Sequence, residues 1–251
     1  MLPTFFTSET ASNDVVERSF TVGGVSGLLW TPASPSAGLP LVLVGHSGGT
    51  GKRAASVVER ARRLVAGGFA VAAIDAPGHG GRPLTETDER EVAAVRRALR
   101  ASEPAGSIIA RYTADVAERA VPEWRATLDA LLEQPEFGDG VPVGYFGLDM
   151  GTGIGVPLTA AEPRITAAVF GRFRHETLVE TAGRITVPVG FLLQWDDEQV
   201  DRQSGLALFD AFASREKSLH ANAGGHRETP SFEADDVVRF FTRHLHVATA
   251  A

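Results

Sequence analysis

Along this chain, short apolar runs alternate with longer amphipathic stretches, and each apolar run ends in glycines, acids or histidines. Arg18–Val22 and Val25–Trp30 flank Gly23-Gly24, a pair that tolerates the positive φ of a tight turn, so an antiparallel hairpin is predicted. Pro40–Val44 is apolar throughout, as a strand covered on both faces must be, and leads through a glycine-rich loop into a helical stretch from about Ala54 to Ala66. Gly67-Gly68 stops that helix and Phe69–Ile74 is the next strand, which completes a βαβ unit. From Arg82 to about Glu136 the pattern turns helical and charged, best marked at Glu89–Arg100 and Val116–Leu132, and reads as a helical insertion or lid over about residues 82–136. Strands resume at Pro142–Phe146, Ile165–Phe170, Pro188–Leu193 and Lys217–Ala221. Helices are predicted at Met150–Ala160, Gln203–Ala213 and Phe232–Leu245. The expected fold is α/β: a mostly parallel eight-stranded sheet with helices on both faces and a small helical lid, in one domain spanning residues 1–251. Thr31–Pro40 reads as a surface connection.

Composition narrows the function classes. Hydrophobic residues make up 43% and charged residues 22%, which excludes disordered, collagenous and coiled-coil chains. A net charge of -7 opposes phosphate backbones and anionic membranes, so the expected partner is a small-molecule substrate rather than nucleic acid or membrane, with homo-oligomerisation left open. Cysteine is absent, which removes disulfides, thiolate metal sites and a thiol nucleophile. Met1 to Phe20 lacks a basic stretch followed by an apolar one, and no later window has the apolar length of a membrane span; a soluble, cytoplasmic protein is expected.

In parallel sheets chemistry collects at the carboxyl ends of strands. Four such ends stand out: His46-Ser47-Gly48-Gly49, Gly147-Leu148-Asp149-Met150-Gly151, the run from Gln194 through Asp196 and Asp197 to Val200, and Gly224-Gly225-His226. The second has the form small-x-Asp-x-small. Glycines flanking a strand-to-helix elbow let the backbone turn without collision and leave the central side chain exposed, where a nucleophile is expected. A helix N-cap is the plainer role for an aspartate there. An acid at Asp197 and a histidine at His226 then complete the chain order nucleophile, acid, histidine. Asp196 stands beside Asp197 as the alternative acid.

These marks, with Ile74-Asp75-Ala76-Pro77-Gly78-His79-Gly80 and Thr152-Gly153 after the elbow, make the chain resemble the α/β-hydrolases of the dienelactone-hydrolase-like group. The resemblance runs from the first hairpin to His226. Members carry Ser or Cys at the elbow centre, where this sequence has Asp149. Epoxide hydrolases and haloalkane dehalogenases of the same fold use Asp there. A carboxylate attacking an ester carbonyl makes only an anhydride, whereas attack on the saturated carbon of an epoxide or alkyl halide gives a stable ester that His226 and water can hydrolyse. The resemblance therefore implies a hydrolase of a small organic substrate with catalytic residues Asp149, Asp197 and His226, Asp197 rather than Asp196 because the family's acid stands three residues before an apolar residue, here Val200. Its oxyanion donors would be the Met150 N–H and the Ser47-Gly48 loop, where Ser47 reads as an oxyanion or packing residue rather than a nucleophile. Tyr112, His46 and His79 are candidates for binding substrate or protonating a leaving alkoxide, and Tyr145, inside a strand, reads as core.

Two further readings stay open: an acid/base catalyst such as a cyclase, lyase or isomerase, and a non-catalytic binding protein derived from an esterase or lactonase. No cofactor is expected, because the glycines near Gly51-Lys52 are followed by Arg53 and lack the ending of a phosphate loop. No metal is expected either; the closest histidine pair, His244 and His246, reads as solvent-facing.

Overall fold

The computed structural model describes residues 4–12, 14–35, 38–138 and 140–245. Met1–Pro3 of the N-terminal segment, Ser36 and Ala37 of the Thr31–Pro40 connection, and His246 lie outside the described residues. Three antiparallel strands open the chain, β1 (Thr4–Ser12), β2 (Val15–Val22) and β3 (Val25–Pro32). Six parallel strands follow: β4 (Leu41–Val44), β5 (Ala70–Ile74), β6 (Val143–Phe146), β7 (Ile165–Gly171), β8 (Val189–Gln194) and β9 (Lys217–Asn222). They make one nine-stranded sheet in the order β1-β2-β3-β5-β4-β6-β7-β8-β9. The mostly parallel α/β architecture is as expected, with one strand more than the predicted eight. That strand is β1, a largely polar edge strand whose side chains from Phe6 to Ser12 are exposed, so no hydrophobic alternation marks it.

The central strands are buried on both faces, and their side chains alternate between two cores. Leu41 and Leu43 of β4 join one core with Tyr145, Phe170 and Phe191, while Val42 and Val44 join the other. Helices α1 (Ala55–Ala66) and α7 (Phe232–Leu245) cover the second core through Val57, Leu64, Val237 and Phe241. The first is covered by α3 (Gly106–Leu132), α4 (Met150–Ala161) and α6 (Arg202–Ala211). Each of these buried leucines contributes about 1.5–3 kcal/mol relative to an exposed one. A one-turn helix, α5 (Val179–Ala182), lies beside α4 and α6.

Within residues 82–136, α2 (Glu86–Arg100) precedes α3, and the two are not alike. The second half of α3 belongs to the sheet's cover, with Trp124, Leu128 and Leu131 in the core. The first half joins α2 over the carboxyl ends of the strands. A capping box starts α2: Thr85 Oγ1 accepts the Asp88 N–H at 3.2 Å and Asp88 accepts the Thr85 N–H at 3.0 Å. The same Asp88 carboxylate receives Arg119 of α3 at 2.6 Å, which ties the two helices together. Among the described residues no helix is long and apolar enough to cross a membrane.

Candidate active site

The elbow between β6 and α4 has no room for a side chain at Gly147, where a Cβ would stand 2.5 Å from the carbonyl carbon and oxygen of Gly151. The Thr152 hydroxyl lies 2.8 Å from the Gly147 carbonyl and 2.7 Å from that of Gly171, and it accepts the Gly171 N–H at 2.9 Å. Pinned in this way to β7, the turn holds Asp149 at φ 56 and ψ -127. Side chains rarely adopt that conformation, which costs about 1–3 kcal/mol and persists only when the surroundings impose it. An N-cap would have extended backbone and a side chain bonded to the helix, and Asp149 has neither. Its carboxylate faces a cavity of about 990 Å³ at the carboxyl ends of the strands.

Around that carboxylate the three triad candidates come together. Asp149 Oδ1 stands 3.0 Å from His226 Nε2 and has no hydrogen bond, a contact close enough for ion pairing. His226 Nδ1 lies 2.8 and 3.0 Å from the two Asp197 oxygens. The Asp197 carboxylate is fixed in turn by the Gln199 and Val200 N–H groups, both at 2.8 Å. Asp196 is exposed and reaches only the Gly224 N–H at 3.3 Å and Arg202 at 4.0 Å, so Asp197 is the histidine's partner. Ser47 donates its hydroxyl to Asp149 Oδ2 at 2.6 Å. Met150 and Gly48 line the cavity beside it, with the Met150 N–H in the first turn of α4, where no helical carbonyl can receive it.

The charges follow from this packing. Burial works against ionising Asp149, but His226, Arg172 and Ser47 outweigh it and hold the carboxyl below its ordinary range. For His226, burial disfavours the charged ring, and the two carboxylates reverse this and push it up to about 9. The resting site is thus an imidazolium between two carboxylates.

The remaining candidates divide. His46 accepts the Ala76 N–H at Nε2 (3.0 Å) and contacts the Ser47 carbonyl through Nδ1 (2.9 Å), so neither ring nitrogen is left for a substrate. Burial lowers it to about 4, which removes it as a proton donor at neutral pH and corrects the expectation. His79 lines the cavity with Nδ1 on the Pro77 carbonyl and its ring stacked on Tyr112 at 6.1 Å. Tyr112 also lines the cavity; burial, then the Asp88 carboxylate, pushes its hydroxyl up to about 12. Tyr145 is core, donating to the Gly151 carbonyl at 2.7 Å. Asp75 binds Lys52 and the Gly81 N–H and joins two loops. His244 is not solvent-facing: it packs on Phe240 at 4.6 Å. Ligand atoms of His220, Glu233 and Asp236 lie within 4.8 Å of one another, but Glu233 is already bonded to His220 and Asn222.

Two cavity residues escape the sequence reading. Arg172, at φ 52 directly after β7, donates to Asp149 Oδ2 at 2.8 Å and to the His226 carbonyl at 2.9 Å. Its signal was the run Gly171-Arg172-Phe173-Arg174, a strand end of the same kind as the four inspected. Arg60, on α1, has no such signal, because a mid-helix arginine ordinarily faces water.

No protein-family model and no curated protein matches the sequence. Among solved structures, a cold-adapted esterase from an Arctic intertidal metagenomic library is 32% identical, with 96% of this chain and 100% of that chain covered at a TM-score of 0.76. A dienelactone hydrolase from Anabaena variabilis (19% identity, 95% and 99% covered, TM-score 0.63) shares the fold. So does acetyl xylan esterase 1 from Thermoanaerobacterium (17% identity, 96% and 87% covered, TM-score 0.67). An elbow carboxylate and a histidine in one cavity of this sheet, with an acid behind the histidine, and a likeness to the Arctic esterase along the whole chain, agree: the protein belongs to that esterase's family, within the α/β-hydrolase fold.

Proposed function

We propose that the protein hydrolyses a small organic substrate with an electrophilic saturated carbon, an epoxide or alkyl halide, through a covalent ester on Asp149. One observation carries this reading: Asp149 stands on a strained elbow at the cavity, with Oδ1 paired to His226 Nε2 at 3.0 Å and Oδ2 engaged by Ser47 and Arg172.

For an epoxide, Oδ1 attacks the ring carbon and the C–O bond breaks toward oxygen. The alkoxide takes a proton from the His226 imidazolium, directly or relayed through Tyr112, whose raised hydroxyl stays protonated at neutral pH and is reprotonated by the ring. Esterification removes the Asp149 charge, one of the two that keep His226 protonated, so the histidine's pKa falls as it becomes the required base. Neutral His226 then takes a proton from water, and hydroxide adds to the ester carbonyl. Ser47, Arg172 and the Met150 N–H stabilise the oxyanion, and collapse releases the alcohol, regenerating carboxylate and imidazolium. One donor of this kind is typically worth about 2.7–4 kcal/mol in the transition state. In this scheme α2 and the first turns of α3 act as the lid, presenting Val92, Ile109 and Tyr112 to the substrate.

Rapid quench during turnover of an epoxide tests the reading: a substrate-sized mass on the peptide holding Asp149 is expected, and its absence overturns the covalent step. A second reading, acid/base catalysis with no covalent intermediate, is favoured by the Arg172 pair, which weakens Asp149 as a nucleophile. Single turnover in labelled water separates the two. Label enters Asp149 only on the covalent route.

A further inference from the structure

Arg60 on α1 forms no ion pair among the described residues. Its guanidinium carbon lies 4.8 Å from the centroid of the Phe146 ring, at the end of the strand that leads to the elbow. Its Nη1 is buried with no hydrogen-bond partner among the described residues, and the adjacent Glu59 pairs with Arg63 instead. Holding a guanidinium in a cavity wall without a partner charge is costly, and a bound anion relieves that cost.

The surroundings supply no such partner. In a chain of net charge -7, the cavity wall carries six arginines (Arg60, Arg63, Arg96, Arg172, Arg174 and Arg227) against three carboxylates. Each of the three carboxylates is engaged elsewhere: Asp149 by Arg172, Glu59 by Arg63, and Glu233 by His220 and Asn222. Burial, then Arg172, pulls Arg60 down to about 10, so it stays charged at neutral pH. Phe146 provides an apolar floor under the guanidinium plane, the setting in which arginine binds a planar anion through two parallel hydrogen bonds.

We propose that Arg60 seats an anionic group, a carboxylate or a phosphate, carried by the molecule whose reactive carbon meets Asp149. The link to Asp149 rests on the function proposed above, whereas the anion site stands without it. The counter-ion missing from the Arg60 guanidinium is then part of the substrate.

Calorimetry and thermal denaturation with 4-phenylbutanoate, phenyl phosphate and neutral 4-phenylbutanamide test the site in a buffer of low anion content. One anion should bind at least tenfold more tightly than the amide and raise Tm, and which anion wins identifies the group. Arg60→Met should lose that preference at least tenfold while leaving the Tm of the free protein unchanged or higher, with Arg60→Lys between. Equal binding of anion and amide by the wild-type protein overturns the proposal, as does Arg60→Met retaining the anion. Should Arg60→Met fail to fold, the wild-type comparison decides. Asp149→Asn, which removes a nearby negative charge, should bind the anion at least as tightly. Anion binding by these probes, together with no adduct on Asp149 when an epoxide is turned over and quenched, would refute the covalent mechanism and leave the site intact.

Discussion

Arg172 donates to Asp149 Oδ2 at 2.8 Å and, with its other terminal nitrogen, to the His226 carbonyl at 2.9 Å. One guanidinium therefore sets the elbow against the histidine loop. Both side chains of the pair are largely buried, at 10% and 18% exposure.

Removing one partner of such a pair leaves a charge stranded. Arg172→Leu should cost about 3 kcal/mol in urea unfolding, and Arg172→Leu with Asp149→Leu should recover part of that loss. A double variant less stable than Arg172→Leu alone would show that the pair does not carry the effect.

Asp149→Ser puts a hydroxyl where His226 Nε2 now meets a carboxylate oxygen at 3.0 Å. Hydrolysis of an activated ester such as p-nitrophenyl acetate should emerge, and turnover of electrophilic carbon substrates should fall at least 100-fold, to be followed by release of nitrophenolate and of the diol or halide. A folded variant with no esterase activity would mean that the oxyanion donors do not suit acyl transfer.

Stability should depend on pH at both ends. His226 is raised to about 9, so the stability it contributes is complete below its ordinary value of 6.5 and is lost as pH rises through about 9. Asp149 is lowered, so its contribution is complete above its ordinary 3.8 and is lost as pH falls below that value. Unfolding free energies of wild type and His226→Gln should therefore differ most between about pH 4 and 6.5 and converge above about 9. In Asp149→Asn, the His226 titration followed by NMR should move down.

Gly147 of the elbow and Gly48 of the cavity wall should respond differently to alanine. Gly147→Ala forces a Cβ to 2.5 Å from the Gly151 backbone and should cost about 1–3 kcal/mol or more. At Gly48 the nearest atom would be Met150 Cβ at 3.9 Å, and the change should fall within about 0.5 kcal/mol by thermal denaturation.

The long apolar periods made the fold legible. β4, β6 and β8 are buried on both faces and read as strands without ambiguity, whereas β1 is polar, lies on the edge and is held by backbone pairing that hydrophobic patterning does not encode. The glycines around Asp149 marked the elbow because a backbone approach that excludes Cβ must be written as glycine.

The amino-acid sequence by itself determined the α/β alternation, the elbow at Asp149 and an acid pair followed by His226 in chain order, because each depends on residue type and local spacing. The tertiary structure decided which of Asp196 and Asp197 meets the histidine and that His46 is spent on the backbone. It also decided that Arg172 and Arg60 face the cavity. Those outcomes depend on which strand ends and helix faces the sheet brings together, and a charged side chain on a helix or after a strand has no local mark that separates a cavity wall from open water.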